Sequence, residues 1–153
     1  MSDKFYLTWA DIERDTLALI KDLPRDRYDG ILAVTRGGLI PAGMISQHLD
    51  ITVIETIGLV SYHGQAQTAV KVTKSPKIPE DDHHKWLIVD ELVDTGATVN
   101  YLRQHFPNSD IAAVYAKPKG HGIADYTGIE FDESRWLVFP WETDAQNNPQ
   151  KNL

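Results

Sequence analysis

The chain has 153 residues, of which 42% are hydrophobic and 24% charged, values that predict one globular domain and exclude a disordered, collagen-like or coiled-coil chain. It contains no cysteine, which excludes a disulfide framework, a thiolate metal site and a thiolate nucleophile. The formal net charge of −7 disfavours binding to nucleic acid, which requires a basic face, so a polyanionic ligand would need local geometry and a cation.

The first half of the chain predicts alternating helices and strands. Thr8 and Asp11 form a capping-box pattern, and one apolar helical face follows until Pro24 ends it. Residues 31–34 form a short continuous apolar run, which is typical of a strand buried on both faces. Residues 51–59 are rich in β-branched side chains, which predicts a second strand. The predicted elements are helix 8–23, strand 31–34, helix 39–49 and strand 51–59.

The second half begins with a stretch that has no sustained periodicity, residues 61–85, which predicts a long loop or a weak hairpin. Such a stretch inside a compact domain is usually functional. Beyond it the patterns again alternate, and the chain ends in a polar stretch that predicts a frayed tail. The elements are strand 86–89, helix 99–106, strand 111–116, connector 120–128, extended pieces 129–131 and 136–139, and tail 144–153.

The order of these elements predicts an α/β fold with a mainly parallel sheet and helices on both faces. In such a sheet, ligands bind beyond the carboxyl ends of the strands. Two segments follow predicted strands at that edge, residues 35–38 and residues 90–98. They are therefore the candidate binding segments.

The segment 90–98 combines three carboxylates with a small turn that opens a helix. The turn Thr95–Thr98 offers hydroxyls, backbone N–H groups and the positive end of a helix dipole, which together suit a monophosphate. Gly96 allows the backbone to approach a ligand closely. The paired acids Asp90 and Glu91 suit sugar hydroxyls or Mg²⁺, because their charge would repel a phosphate.

This segment matches neither a Walker A loop nor the glycine fingerprint of dinucleotide-binding folds. Taken alone, the turn is equally typical of an ordinary helix N-cap on an acidic surface. The whole pattern, with a strand, two acids and then Asp94 before the turn, favours a phosphate site.

The string 89–98 resembles the phosphoribosyl-pyrophosphate (PRPP) loop of the type I phosphoribosyltransferases. The resemblance covers residues 5–142 and implies their α/β fold, in which helices flank a central, mainly parallel sheet and a small C-terminal hood is added. It divides the chain into a domain at 1–143, with a flexible lid loop at about 61–85 and a base-binding hood at about 117–142, and a polar tail at 144–153. Four further segments occur in the order and spacing of the bacterial xanthine-guanine members: residues 34–41, 61–62, 115–118 and 140–141.

The resemblance also implies which residues hold PRPP and a metal ion. Asp90 and Glu91 would bind the ribose hydroxyls and Mg²⁺, and the family usually has Asp at the position of Glu91. In the loop at Arg36 and Gly37, which would hold pyrophosphate, the family tends to use a non-proline cis peptide. Ala97 stands where the family has glycine, which implies a negative φ. The implied PRPP-binding residues are Arg36, Gly37, Lys71, Asp90, Asp94, Thr95, Gly96, Ala97 and Thr98.

Base binding is implied at four positions. Lys117 would donate a hydrogen bond to O6 of a purine, which selects 6-oxopurines over adenine. Trp136 would stack on the base, and the backbone of Leu137 would read the 2-position. Asp94 would lie near N7. The other three tryptophans are assigned to packing.

The implied reaction transfers the 5-phosphoribosyl group from PRPP to N9 of guanine, xanthine or hypoxanthine, in purine salvage. Mg²⁺ is the implied cofactor, Asp94, Glu91 and Asp90 are the implied catalytic residues, and the implied assembly is a homo-tetramer. Lys71 is the candidate lid cation, and Thr68 stands near the point where the family often has Arg, a departure that leaves the basic contact of the lid open. Two alternatives stay open: an enzyme for hypoxanthine alone or another base, and a non-catalytic PRPP-sensing regulator. The net charge and the base-site residues count against the regulator.

Other classes of protein receive less support from the sequence. The start of the chain, Met1–Lys4, is polar, and no run approaches the roughly 20 apolar residues that a membrane span needs. We therefore expect a cytoplasmic protein without integral membrane contact, although some family members associate weakly with the inner membrane face. His83, His84 and His121 lack the spacing of a metal site.

Overall fold

The computed structural model describes residues 3–63, 68–78 and 84–149, with the side chains of His63 and Thr68 excepted. Three α-helices and one 3₁₀-helix alternate with eight strands in this part of the chain. The helices are Trp9–Asp22 (α1), Leu39–Leu49 (α2), Ala97–His105 (α3) and the 3₁₀-helix Thr143–Asn147. The strands are Asp3–Tyr6 (β1), Gly30–Thr35 (β2), Ile54–His63 (β3), Thr68–Lys74 (β4), Trp86–Val93 (β5), Asp110–Ala116 (β6), Tyr126–Glu130 (β7) and Arg135–Val138 (β8).

Six strands form the central sheet, in the order β4-β3-β2-β5-β6-β7. Only the β3–β4 pair is antiparallel, so the predicted mainly parallel α/β sheet is confirmed. From β2 the chain proceeds to β3 on one side, and from β5 it proceeds to β6 on the other. The carboxyl ends of β2 and β5 therefore flank a topological switch point, where sheets of this kind bind ligands.

Alternate residues of the central strands belong to two separate apolar cores. Ile31 and Ala33 of β2 pack with α1 and α2 on one face, whereas Leu32 and Val34 pack with residues of α3 on the other. Ile31, Leu32 and Ala33 have no exposed surface. Burial on both faces explains why this strand is a continuous apolar run in the sequence.

The structure confirms the capping box of α1. The Thr8 hydroxyl accepts the Asp11 N–H at 3.1 Å, and the Asp11 carboxylate accepts the Thr8 N–H at 2.8 Å. The predicted bounds of α2 are also confirmed.

Several predicted strand boundaries are wrong; β7, for example, begins at Tyr126, inside the predicted connector 120–128. Strand β3 begins at Ile54, not Ile51, because Ile51 closes the end of α2: its N–H donates to the Ser46 carbonyl, and its carbonyl accepts from the Ser46 hydroxyl. Strand β5 continues to Val93, because its backbone stays paired with β6. Asp90 and Glu91 therefore lie within a strand and do not end it.

The predicted lid loop at 61–85 is in part a hairpin. Strand β4 pairs with β3 from His63↔Thr68 to Gly58↔Lys74, with a register shift next to Gly58. Cross-strand hydrogen bonds stabilise this hairpin, and they leave no periodic pattern in the sequence. Residues 64–67 and 79–83, which include His83, lie outside the described residues.

The predicted frayed tail is wrong at its beginning. Thr143–Asn147 is a 3₁₀-helix in which Ala145 is buried, and Asp144 accepts a hydrogen bond from the Lys4 ammonium at 2.8 Å. Residues 150–153 lie outside the described part of the chain.

A second, two-stranded parallel sheet pairs β1 with β8, and β1 is an element that the sequence patterns did not predict. It joins the first described residues to the strand that carries Trp136 and Leu137. Among the described helices, none has the length and apolar character needed to cross a membrane.

Asp110 is a nearly buried carboxylate at the start of β6. It accepts a hydrogen bond from the Tyr28 hydroxyl at 2.7 Å, and its oxygens lie 3.2 Å from Lys85 Nζ and 3.3 Å from Arg27 Nε. Burial opposes its ionisation, but these donors and cations outweigh burial and lower the pKa of Asp110.

We expect Asp110→Asn to lower the free energy of unfolding at neutral pH by about 1–3 kcal/mol. Because the folded pKa is depressed, the contribution of Asp110 is complete above its unfolded pKa of about 3.9 and is lost as the pH falls through the lower folded value. Urea unfolding of both proteins between pH 7 and pH 3 should show the difference shrinking. Exposed Asp22→Asn is the control, and a difference independent of pH would contradict the assignment.

Candidate active site

The turn Thr95–Thr98 connects β5 to the N-terminus of α3. Gly96 precedes the helix with a φ of +85°, a conformation that favours glycine. A side chain there would also collide with Ile123, which covers the turn. Ala97 is the first helical residue and is not among the positive-φ positions, so the expected negative φ is confirmed. The first N–H groups of α3 have no intrahelical acceptors, so the turn can bind an anion.

Asp90 and Glu91 place two carboxylates beside this turn. The Asp90 carboxylate accepts the Glu91 N–H at 2.9 Å. Burial, and then the neighbouring Glu91 carboxylate, raise the pKa of Asp90 well above its usual range, despite that hydrogen bond. The pair is thus a concentrated negative charge that a cation or a set of hydrogen-bond donors would stabilise.

The loop after β2 lies against the same acids. A non-proline cis peptide joins Thr35 to Arg36, so the cis bond expected for this loop is present. A Cβ atom on Gly37 would overlap the carboxyl group of Glu91. The absence of a side chain at Gly37 therefore creates the space that the Glu91 carboxylate occupies.

Two clefts meet at this point and form one continuous depression. They share Thr35, Leu59, Ser61 and Glu91. The smaller cleft, of about 230 Å³, contains Asp90, Asp94 and the turn 95–98. The larger, of about 1220 Å³, contains Arg36, Gly37, Trp136, Trp141 and Glu142. The structure thus brings together the two segments that the sequence selects as binding segments.

The candidate base-binding residues lie at the edge of this depression. Trp136 is 59% exposed and lines the larger cleft, so it is free to stack on a ring. Leu137 is buried beside it in β8. Lys117 is 6% exposed, and its ammonium donates hydrogen bonds to the carbonyl oxygens of Glu133 and Arg135.

Lys71 is the predicted PRPP contact that the structure does not bring to the clefts. It is exposed on β4 opposite Val60, and it is not among the residues that line either cleft. Its cross-strand partner Val60 lines the larger cleft, and Leu59 and Ser61, on the other face of β3, line both clefts.

Sequence reasoning missed Glu142. Its carboxylate lines the larger cleft, accepts the Phe139 N–H at 3.1 Å and interacts electrostatically with Glu91 and Arg36. Burial raises the pKa of Glu142, and the charge of Glu91 adds to this effect. In the sequence, its position directly after Pro140-Trp141 is the signal that could have identified it as a site residue. Trp141, assigned to packing, does stack on Phe139, and it lines the cleft as well.

A doubly covered parallel sheet with paired carboxylates and a helix N-terminus at its switch point is typical of α/β proteins that bind phosphorylated ligands. Residues 6–148 match the family model described as the phosphoribosyl transferase domain. The chain belongs to the phosphoribosyltransferase family.

Individual proteins that are similar to this chain in sequence or structure belong to the same family. A xanthine-guanine phosphoribosyltransferase from Nitratidesulfovibrio vulgaris (strain DP4) is 40% identical over 97% of this chain and 94% of its own length. A purine phosphoribosyltransferase structure from Pyrococcus horikoshii has a TM-score of 0.78 at 31% identity, over 92% of this chain and 95% of that one. A Helicobacter pylori xanthine-guanine-hypoxanthine phosphoribosyltransferase has a TM-score of 0.72 at 27% identity, over 94% and 97% of the two chains.

Proposed function

We propose that this enzyme transfers the 5-phosphoribosyl group of PRPP to N9 of guanine, xanthine or hypoxanthine, releasing pyrophosphate. The observation that carries the proposal is one depression that contains an anion-binding turn, paired acids, Arg36 and an exposed tryptophan. PRPP has a 5′-phosphate, ribose hydroxyls and a pyrophosphate, and each has a chemically matched group there. The names of the relatives support a 6-oxopurine as acceptor.

Asp90 and Glu91 fit a magnesium ion. They offer only carboxylate oxygens, which Mg²⁺ prefers. The pKa of Asp90 is raised first by burial and then by the charge of Glu91, and a divalent cation would offset both effects. No cluster of three or more His, Cys, Asp or Glu that could enclose a metal occurs among the described residues. Mg²⁺ commonly uses one or two carboxylates together with substrate oxygens, and when bound it neutralises charge on a departing pyrophosphate.

The phosphate groups have separate binding positions in this proposal. The turn 95–98 holds the 5′-phosphate through backbone N–H groups and the Thr95 and Thr98 hydroxyls. The guanidinium of Arg36 carries a permanent positive charge and binds pyrophosphate as negative charge develops on it. Asp90 and Glu91 also accept hydrogen bonds from the ribose hydroxyls and hold the ring.

The purine is bound at the other end of the depression. Trp136 stacks on the ring, the Lys117 ammonium donates to O6, and the Leu137 backbone contacts the 2-position. Asp94, exposed at the rim of the smaller cleft, accepts the proton at N7 as N9 attacks C1′. Catalysis then rests on positioning and charge stabilisation, without a covalent enzyme intermediate. The β3–β4 hairpin, with Lys71, is proposed as the lid that excludes water.

Homo-tetramer assembly is part of the same proposal. Exposed apolar side chains at Leu39, Val53 and Ile54 offer surface for self-association. Light scattering of the purified protein should give four times the mass of one chain, and a monomer mass would contradict it.

The direct test is a panel of purines with PRPP and Mg²⁺, following nucleotide formation. We expect nucleotides from guanine, xanthine and hypoxanthine and none from adenine. Activity on hypoxanthine alone would favour the narrower enzyme. The absence of pyrophosphate release with every purine would favour a non-catalytic sensor.

We expect Asp94→Asn to lower kcat by far more than it raises KM for PRPP, because an amide cannot accept the N7 proton. Steady-state kinetics with guanine measure both parameters, and exposed Asp22→Asn is the control. An unchanged kcat would remove Asp94 from the chemistry.

We expect Gly37→Ala to lower kcat/KM for PRPP roughly 10- to 100-fold while the melting temperature changes little, because the new methyl group displaces only the flexible end of Glu91. Gly43→Ala is the control, since a Cβ atom at that helical position meets nothing within 4 Å.

The same interpretation predicts a rescue of Gly37→Ala. Adding Glu91→Asp shortens the carboxylate by one methylene, removes the overlap and should restore part of the activity. Additive losses in the double variant would show that Gly37 and Glu91 act independently.

A further inference from the structure

The ammonium group of Lys117 is held by backbone carbonyl groups. Lys117 Nζ lies 3.2 Å from the carbonyl oxygen of Glu133 and within hydrogen-bonding distance of that of Arg135. No carboxylate of the described residues forms an ion pair with it, although the side chain is only 6% exposed. An ammonium has three N–H donors, so two are used and one remains.

The segment that supplies these carbonyl groups is the tight turn between β7 and β8. It is closed by a hydrogen bond from the Arg135 N–H to the Asp132 carbonyl at 3.0 Å. The Glu133 carboxylate reaches back and accepts the Lys119 N–H at 2.8 Å. Lys117 thus holds the turn with its side chain, and Glu133 holds the segment after Lys117 with its own.

Other contacts attach the ends of this turn, and at its start the Phe131 N–H donates to the Ala116 carbonyl at 2.9 Å. Arg135 forms an ion pair with Asp3 at 2.9 Å, but both side chains are substantially exposed, at 40% and 72%. Exposed ion pairs contribute little to stability. The backbone of Lys117 is anchored separately, by donation of its N–H to the Val93 carbonyl at 2.9 Å. The hydrogen bond of Glu133 is the side-chain contact that ties the middle of the turn to the segment that follows Lys117.

We propose that Glu133 is a positioning residue that keeps the third N–H of the Lys117 ammonium directed at the 6-substituent of the purine. Carbonyl acceptors orient an ammonium without neutralising its charge, whereas a carboxylate partner would do both. The remaining N–H then favours an oxygen acceptor and is mismatched to an amino group. This inference rests on the proposed function, because it assigns Lys117 to the base.

The first test uses Glu133→Ala, with Glu133→Gln as the conservative variant. We expect Glu133→Ala to raise KM for guanine about fivefold to tenfold, the range for losing one side-chain hydrogen bond, while KM for PRPP stays within twofold. Glu133→Gln retains an oxygen acceptor for the Lys119 N–H and should restore most of the affinity. Glu130→Ala, three residues earlier and paired with exposed His121, is the matched control.

The second test separates positioning from general damage and does not need turnover. Calorimetry should show that Glu133→Ala weakens binding of GMP by the same factor but leaves binding of ribose 5-phosphate unchanged. In a Lys117→Met background, Glu133→Ala should have no further effect on GMP binding, because the two residues act through one contact. Melting temperatures report whether each variant is folded.

The outcomes distinguish this inference from the proposed function. Equal weakening of GMP and ribose 5-phosphate, or additive losses in the Lys117→Met background, would overturn the positioning role while the activity of the unmodified enzyme stands. If the unmodified enzyme neither forms nucleotides nor binds GMP, the proposed function fails and the inference fails with it.

Discussion

The parallel pairing of β2 with β5 determines how the loop at Gly37 lies relative to the acids Asp90 and Glu91. Both strands are buried on both faces, and Ala33 pairs with Val89 in their register. That register carries the loop at Gly37 over the carboxyl group of Glu91. A slip by one residue would exchange the two cores and separate these groups. The apolar packing that stabilises the sheet therefore also sets the geometry of the site.

The same pairing explains which parts of the molecule the sequence predicts. A strand buried on both faces must be apolar throughout, so β2, β5 and β6 are visible as runs, and the binding segments follow them. Strands at the edge of a sheet do not need to be apolar on both faces. Strand β1 pairs with a strand that lies 132 residues further along the chain, as the Asp3–Arg135 contact shows, and no local pattern reveals that partner. The hairpin β3–β4 is likewise held by pairing and not by periodicity.

Within the site, the sequence predicts residues whose chemistry lies in their side chains and misses contacts made by the backbone. The acids and the Thr-Gly-Ala-Thr turn are visible because those residue types are uncommon in that order. The carbonyl groups that hold Lys117 leave no such signal, since any residue at positions 133 and 135 supplies one. The fold places Glu142 in the larger cleft, where it interacts with Glu91. Spacing in the sequence does not indicate this long-range contact.

Electrostatics resolves the apparent conflict between a net charge of −7 and a polyanionic ligand. The acids that line the clefts are Asp90 and Glu91 on β5 together with Asp94, Glu142 and Asp144. The groups suited to an anion are the start of α3 and the guanidinium of Arg36. Anion binding of this kind depends on a few oriented dipoles and charges within hydrogen-bonding distance of the ligand, not on the field of the whole protein.

The two ends of the depression are built by different elements that share one apolar core. The turn Thr95–Thr98 and the acids of β5 belong to the central sheet, with cores on both faces. Trp136 belongs to the β1–β8 pair, which is held by a short ladder, by exposed ion pairs and by Leu137, which packs in the same core as Ile31 of β2. Exposed ion pairs add at most about 1 kcal/mol each, so the ladder and the apolar packing carry most of this attachment. Because Trp136 is 59% exposed, it can be replaced with little loss of core packing, whereas truncation of buried Leu137 would leave a cavity.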